Sequence, residues 1–404
     1  MTQRLRATWL VSDDYDGGVV AVAGACCAAA ARSGAVDATL LFLRPPERTV
    51  AEPGGARVAS LDLAPPLLDA PQRLASWLAE NPQDILVYNG SEEVDHTPPH
   101  LPAQTLAIYA VHDTAPRYFE AALHHEAALD AIVAISETVA ACFRPRLSDP
   151  SKLRVIPNGS AFPIPLEALG RSGRADDLMF LGGDKPLKGA HDVLALWPRL
   201  TARGFAGRLH WFGDVGPALR HRVEALEGAD RIELYGRVDR SVIFRTAARS
   251  KLILMLSRVE PFGMATLECM GMGCGVVAWD IETGTKEIAT APRDGRFAPL
   301  GDVARLAAAV LETLALTDDE RAAIAQLARR SFSDEAMWRR YGELFETLRA
   351  AGPVTRPLAG TMPPPFTPKV RLFQMLPPGV RQVIRGVVGR SPTLTHALRD
   401  VRGR

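Results

Sequence analysis

The chain has 404 residues, of which 47% are hydrophobic and 23% charged, and its formal net charge is +1 at pH 7. This length favours two domains, and the composition argues against extensive disorder. A net charge this small argues against recruitment to nucleic acid by the field of the whole chain.

Cysteine usage and apolar runs indicate a cytoplasmic protein. The chain has five cysteines and no Cys-x-x-Cys pair, so we expect reduced thiols and no zinc site. Its longest apolar run, residues 19–31, is too short to span a bilayer. Acidic residues precede this run, which is unlike a secretory signal.

Short aliphatic runs alternate with longer helical patterns along the chain. The first 160 residues contain ATWLVS, DATLLFL, DILVYN, TLAIYAVH, AIVAIS and LRVIPNG, and the next 120 contain DLMFLGG, RLHWFG, RIELYG, LILMLS and GVVAW. Apolar strands separated by helices predict parallel sheets covered on both faces. We therefore predict two doubly wound α/β domains, 1–165 and 166–332, which meet at the Pro- and Gly-rich stretch PNGSAFPIP.

The remaining residues, 333–404, change character twice. Residues 333–350 have the pattern of a long amphipathic helix that begins at a serine cap. Six prolines in 353–368 predict a linker, so we assign 351–404 to a linker and tail. Residues 369–404 carry eight Lys or Arg against one Asp, and their valines recur on one helical face. This basic tail either lies on an anionic membrane surface or docks on the protein's own body.

A pair of glutamates in EPFGMATLE brackets a Pro-Phe-Gly turn. A strand should end near Ser257 and a helix begin near Met264, so Glu260 lies at the carboxyl end of a parallel strand, where open α/β sheets bind ligands. Glu268 lies in the helix. The unsatisfied amides at the helix start suit an anion, and carboxylates accept paired hydrogen bonds from vicinal hydroxyls. Together they suit a nucleotide sugar. The amides belong to Gly263, Met264, Ala265 and Thr266.

The same stretch strongly resembles the retaining GT-B glycosyltransferases, in particular the large bacterial family 4. That family's Glu-x7-Glu pattern is complete here from Glu260 through Pro261, Phe262, Gly263, Leu267, Glu268 and Met270. Further blocks follow the family in order: IVAISETVA, LRVIPNG, FLGGDKPLKG, WFGDVGP, IELYGRV and ETGTKEI. The resemblance covers most of residues 8–350. It implies two Rossmann-like domains that face each other across a cleft, with helix 333–350 crossing back onto the first.

The resemblance also implies roles for residues of the second domain. Glu260 would contact the donor hexose at the reaction centre, beside Phe262, and Glu268 would hold the ribose hydroxyls. Lys188 matches the lysine that neutralises the diphosphate. The donor's base would lie against a loop of three residues, Gly236, Arg237 and Val238.

The clearest departure from the family is at Gly183, where the pattern has an arginine that also neutralises the diphosphate. Losing one of two cations should cost several kcal/mol unless another group substitutes. Lys185, two residues on, either replaces the arginine or is a solvated loop lysine. Both interpretations stay open.

In the first domain, SDDYDGGV ends one strand and opens a helix, and Gly17 and Gly18 match a family loop that faces donor and acceptor. The string Asp14-Tyr15-Asp16 resembles a short metal-binding pattern of unrelated glycosyltransferases, which we interpret as coincidence. His112 ends another strand at the position of the family's histidine beside the donor sugar. The resemblance therefore gives His112 a catalytic role.

These observations predict transfer of a hexosyl unit from a nucleoside-diphosphate sugar to a glycan or lipid-linked hydroxyl. Retention of anomeric configuration is implied by the resemblance alone. We expect neither a metal nor a cofactor, and no nucleic-acid partner. The expected location is the cytoplasm or the inner face of the cell membrane. A protein that only binds a sugar nucleotide or glycan, or a GT-B sugar-nucleotide epimerase, are the alternatives.

Overall fold

A computed structural model describes residues 4–12, 18–45, 53–64, 67–169, 173–290 and 294–367. The described residues form two compact units. Unit one comprises 4–160 together with 334–367, and unit two comprises 161–333. The predictions for Gly17, for Asp14-Tyr15-Asp16 and for the basic tail 369–404 lie outside the described residues.

Unit one contains a parallel sheet of seven described strands in the order β3-β2-β1-β4-β5-β6-β7. Aliphatic residues fill most of these strands, and β4, β5 and β6 are buried along their whole length, as expected for a sheet covered on both faces. The strands are β1 (Leu5–Val11), β2 (Val36–Phe42), β3 (Arg57–Ser60), β4 (Ile85–Tyr88), β5 (Leu106–Val111), β6 (Ala131–Ala134) and β7 (Leu153–Val155).

Unit two contains a second parallel sheet, with six described strands in the order β10-β9-β8-β11-β12-β13. Its core includes the tryptophans Trp197, Trp211 and Trp279. The predicted parallel sheets are confirmed. The strands are β8 (Leu178–Leu181), β9 (Leu209–Phe212), β10 (Ile232–Gly236), β11 (Leu252–Met255), β12 (Gly275–Trp279) and β13 (Gly295–Ala298).

Helices connect the strands, and several begin at side-chain caps. Ser136 caps α4 by accepting from Val139 N–H, and Thr317 with Glu320 forms a capping box on α11. The helices are α1 (Gly18–Ser33), α2 (Ala70–Glu80), α3 (Glu120–His124), α4 (Glu137–Phe143), α5 (Ala190–Thr201), α6 (Pro217–Glu224), α7 (Arg240–Ala247), α8 (Met264–Met270), α9 (Thr285–Ile288), α10 (Val303–Leu314), α11 (Asp318–Phe332) and α12 (Asp334–Ala351).

Each sheet has one point where the strand order changes direction. In unit one this switch point lies between β1 and β4, and in unit two between β8 and β11. Loops that leave the carboxyl ends of these strand pairs diverge, which opens a crevice where α/β proteins bind ligands. The two switch points are therefore the places to search for a site.

Helix α12 packs on unit one. It begins at Asp334, directly after the predicted cap Ser333. Trp338 contacts Trp9 of β1 with ring centroids 6.4 Å apart, and Arg32 of α1 bonds to Asp334 at 2.7 Å.

No helix within the described ranges combines the length and apolar character needed to cross a bilayer.

The proline-rich stretch after α12, for which we predicted a linker, is held against unit one. We call residues 352–367 the strap. Arg356 is fully buried and bonds to Asp130 at 2.5 Å, while Asp130 also accepts from Val354 N–H at 2.7 Å. Farther along, Phe366 N–H donates to Leu68 O at 2.8 Å. The strap is thus anchored to unit one at several points, while many of its other residues are exposed.

Candidate functional site

A lysine and a glutamate meet at the switch point of unit two. Lys188 lies in the loop after β8, and Glu260 lies in the loop after β11. Lys188 Nζ is 2.8 Å from Glu260 Oε2, and Ser257 Oγ donates to the same oxygen at 2.9 Å. The Lys188 side chain is 36% exposed and that of Glu260 11%, so the pair remains accessible to a ligand.

Backbone contacts fix the loop that carries Glu260. Gly284 N–H donates to Glu260 O at 2.8 Å, and Arg258 N–H donates to Leu187 O at 2.8 Å. Gly189 has φ +88°, and a Cβ there would overlap Leu256, the first residue after β11. Only glycine therefore lets the two loops approach this closely. These contacts hold the loops of Lys188 and Glu260 next to each other.

The second glutamate has a partner that the sequence did not reveal. Glu268 is buried in α8, and its Oε1 forms an ion pair with Arg240 Nη2. Burial raises the pKa of Glu268, and the charge of Arg240 acts in the opposite direction. Arg240 is 28 residues away in the chain, so no short motif connects the two.

The residues around the start of α8 differ in accessibility. Gly263 precedes the helix in a left-handed conformation, φ +103°, and Met264 and Ala265 are half-buried. Thr266 is buried, and within the described residues its hydroxyl has no hydrogen-bond partner. Phe262 is buried and its ring packs on Phe332 at 6.0 Å. Phe262 therefore belongs to the core, and its ring is not available to a ligand.

The predicted base-binding loop lies beside the loop after β9. Gly236 has φ +66° and pairs with Gly213, whose N–H donates to Gly236 O at 2.8 Å. Arg237 is exposed and pairs with Asp214 at 3.2 Å, and Val238 is half-buried. This loop thus follows β10 at the same sheet edge as Lys188 and Glu260.

The departure at Gly183 has a steric cause. Gly183 has φ +53°, and a Cβ at this position would lie 2.7 Å from Asp214 O. An arginine would therefore collide with the backbone of the loop after β9. Lys185 is exposed, and within the described residues its amine has no ion-pair partner, so its charge is free to meet an anion.

Lys185→Ala should lower turnover by roughly tenfold if Lys185 is the substitute cation, because a charge-assisted hydrogen bond contributes about 1.5 kcal/mol. Steady-state kinetics of nucleotide release measures this. Lys251→Ala serves as the control, since Lys251 pairs with Asp176 at the amino end of β11. Unchanged turnover of the Lys185 variant would remove Lys185 from the site.

In unit one, His112 lies immediately after β5, with Nε2 2.9 Å from Asn89 Oδ1. Burial lowers the pKa of His112 to about 4, so the ring is neutral at pH 7. Asp113 accepts from Ala115 N–H at 2.9 Å, which closes a local turn. Gly18 is the exposed first residue of α1.

The described residues contain no group of three or more His, Cys, Asp or Glu placed to hold a metal ion. The cysteines are free thiols, and Cys26, Cys27, Cys269 and Cys274 are buried.

Residues 175–316 match the family model for glycosyl transferases group 1. This segment includes the loops that carry Lys188 and Glu260 and the helix that carries Glu268. The matched residues therefore include the whole switch point of unit two.

Two curated proteins are similar to parts of the chain. An exopolysaccharide phosphotransferase of Streptomyces coelicolor is 34% identical over 34% of this chain and 13% of its own length. The phosphatidyl-myo-inositol mannosyltransferase of Mycolicibacterium smegmatis is 31% identical over 44% of this chain and 46% of its own length. The aligned segments thus span less than half the length of these relatives.

A wider similarity is found among solved structures. Anabaena HepE in complex with UDP-glucose aligns with a TM-score of 0.67 and 17% identity, over 85% of this chain and 100% of HepE. The fold is GT-B. The predicted fold class, with two Rossmann-like domains, is therefore confirmed.

Proposed function

We propose that the protein is a glycosyltransferase that moves a hexosyl unit from a nucleoside-diphosphate sugar to a hydroxyl acceptor. The contact between Lys188 and Glu260 at the switch point of unit two carries this proposal. A cation and a carboxylate 2.8 Å apart suit a ligand that presents a phosphate next to hydroxyl groups. The match to glycosyl transferases group 1 over 175–316 and the UDP-glucose complex of HepE support it.

In this proposal Lys188 neutralises the charge that develops on the departing diphosphate. When the donor binds, its diphosphate accepts hydrogen bonds from the Lys188 ammonium group, which is paired with Glu260 in the free protein. Glu260 is then available to a hexose hydroxyl. Glu268, fixed by Arg240, accepts hydrogen bonds from the ribose hydroxyls, and residues 236–238 contact the base.

Glu268→Ala should weaken donor binding by about 1–3 kcal/mol, because the ribose hydroxyls would lose a buried acceptor. Isothermal calorimetry with the donor measures the change. Glu233→Ala is a suitable control, because Glu233 also pairs with an arginine, Arg208, but is partly exposed. Equal donor affinities of the Glu268 variant and the parent would exclude Glu268 from the ribose site.

We propose retention of anomeric configuration, family 4 membership and metal-independent turnover on the resemblance of the Glu-x7-Glu segment. Attack on the same face as the leaving phosphate would give retention with Glu260 at the reaction centre. The acceptor would be a glycan or a lipid-linked hydroxyl, and the basic tail would hold the enzyme at the inner membrane surface.

The function is tested by incubating the purified chain with UDP-, GDP- and ADP-sugars and a panel of glycan and lipid-linked acceptors. We expect release of one nucleoside diphosphate, unaffected by EDTA, and a product with the donor's anomeric configuration by NMR. Donor binding without release would indicate a binding protein. Conversion of the sugar on the nucleotide would indicate an epimerase.

A further inference from the structure

A buried asparagine contacts His112 at the switch point of unit one. Asn89 is the first residue after β4, and His112 is the first after β5. These strands are parallel neighbours, so both residues lie at the carboxyl edge of the sheet. His112 Nε2 is 2.9 Å from Asn89 Oδ1.

The orientation of the Asn89 amide follows from its other contacts. Asn89 Nδ2 donates to Leu10 O at 3.1 Å and to Val87 O at 3.3 Å. Carbonyl oxygens only accept hydrogen bonds, so the amide nitrogen must face them. Oδ1 is consequently turned toward His112. Because Asn89 is 7% exposed, a reversed amide would leave buried groups unsatisfied, which is costly.

This orientation determines which ring nitrogen of His112 carries the proton. Asn89 Oδ1 only accepts, so Nε2 must donate. A neutral imidazole has a single N–H, and Nδ1 therefore keeps its lone pair. Within the described residues Nδ1 has no hydrogen-bond partner. We propose that Asn89 is a positioning residue that holds His112 in the Nε2–H tautomer, so that Nδ1 accepts a hydrogen bond from a ligand hydroxyl.

The proposal restricts what His112 can bind. A neutral ring with a lone pair on Nδ1 accepts from a sugar hydroxyl but does not donate to a phosphate oxygen. His112 would thus contact the hexose or the acceptor and not the diphosphate. This ligand assignment rests on the proposed function, whereas the tautomer itself does not.

Long-range ¹H–¹⁵N NMR of the full chain labelled with ¹⁵N-histidine at pH 7 tests the tautomer, with His112→Gln to assign the signals. We expect a protonated Nε2 and an unprotonated Nδ1 in the parent. Asn89→Leu should give a mixture of tautomers, and Asn89→Gln, which keeps both the amide acceptor and the amide donor, should retain the parent pattern. Ser91→Ala is the control, because Ser91 lies two residues after Asn89 and, within the described residues, its hydroxyl bonds to Ser12 Oγ at 2.8 Å and not to His112.

A protonated Nδ1 or a mixture in the parent would overturn the proposal, even if the leucine variant fails to fold. A parent pattern that persists in Asn89→Leu would overturn the role of Asn89. In transfer assays Asn89→Leu should lower kcat by roughly tenfold, with little change in donor KM. This loss is smaller than the ~10²–10⁴-fold that an acid–base group usually contributes. Asn89→Gln should recover most of it. A parent with the expected tautomer and no transferase activity would contradict the proposed function alone.

Discussion

Lys188→Ala should reduce turnover by about 10²–10³-fold, the usual cost of removing one group that stabilises charge in a transition state. Lys188 pairs with Glu260 at the switch point of unit two, and the backbone of Asp214 closes position 183 to the arginine that would share its proposed role. Within the described residues, the alanine would also leave the Glu260 carboxylate with Ser257 as its remaining hydrogen-bond partner. Steady-state release of nucleoside diphosphate at saturating donor measures the effect.

Lys251, which lies directly before β11, provides a matched control. Lys251 pairs with Asp176 and precedes β11, whereas Lys188 contacts the loop that follows it. Lys251→Ala should therefore keep parental turnover while it loses an ion pair of the same type. Similar losses in both variants would show that Lys188 acts through stability and not through catalysis.

Asp130→Ala should destabilise unit one by about 3–5 kcal/mol, because it leaves the buried guanidinium of Arg356 without a counter-charge. The side chains of Arg356 and Asp130 are 0% and 2% exposed. Asp130 also accepts from Ala107 N–H at 2.7 Å, so the substitution leaves a β5 amide unpaired. Hydrogen exchange of β5 and β6 peptides in increasing urea measures the free energy of opening.

An exposed ion pair near the strap gives the comparison for this prediction. Glu346 and Arg349 in α12 are 3.7 Å apart and mostly exposed, and such pairs contribute little. Glu346→Ala should leave the exchange of β5 and β6 unchanged. If Asp130→Ala behaves in the same way, the strap is not anchored by Arg356.

Strand ends were the most informative part of the sequence. Parallel strands end at a common sheet edge, so the positions of Lys188 after β8 and Glu260 after β11 could be derived from two apolar runs. Their direct contact also depends on β8 and β11 being neighbours. That neighbour relation comes from the sheet order, which the apolar runs leave undetermined.

Contacts between distant segments could not be derived. Arg240 has no local relation to Glu268, and Asn89 lies in an ordinary strand–loop junction 23 residues before His112. The prolines of 353–368 favour an extended chain, but they do not show whether it is solvated. Burial of Arg356 anchors this stretch to unit one. Burial depends on contacts with distant segments, which the local sequence does not reveal.

The most direct test of the account compares Glu260→Gln with the parent in one experiment that records both donor binding and nucleotide release. The amide keeps the size of the side chain but loses the charge that faces Lys188 and that, in the proposed function, faces the hexose. We expect donor affinity to change by less than about tenfold, or about 1.4 kcal/mol, while nucleotide release falls by about 10²-fold or more. Equal release by the parent and the variant, or no release by the parent from any UDP-, GDP- or ADP-sugar, would contradict the account.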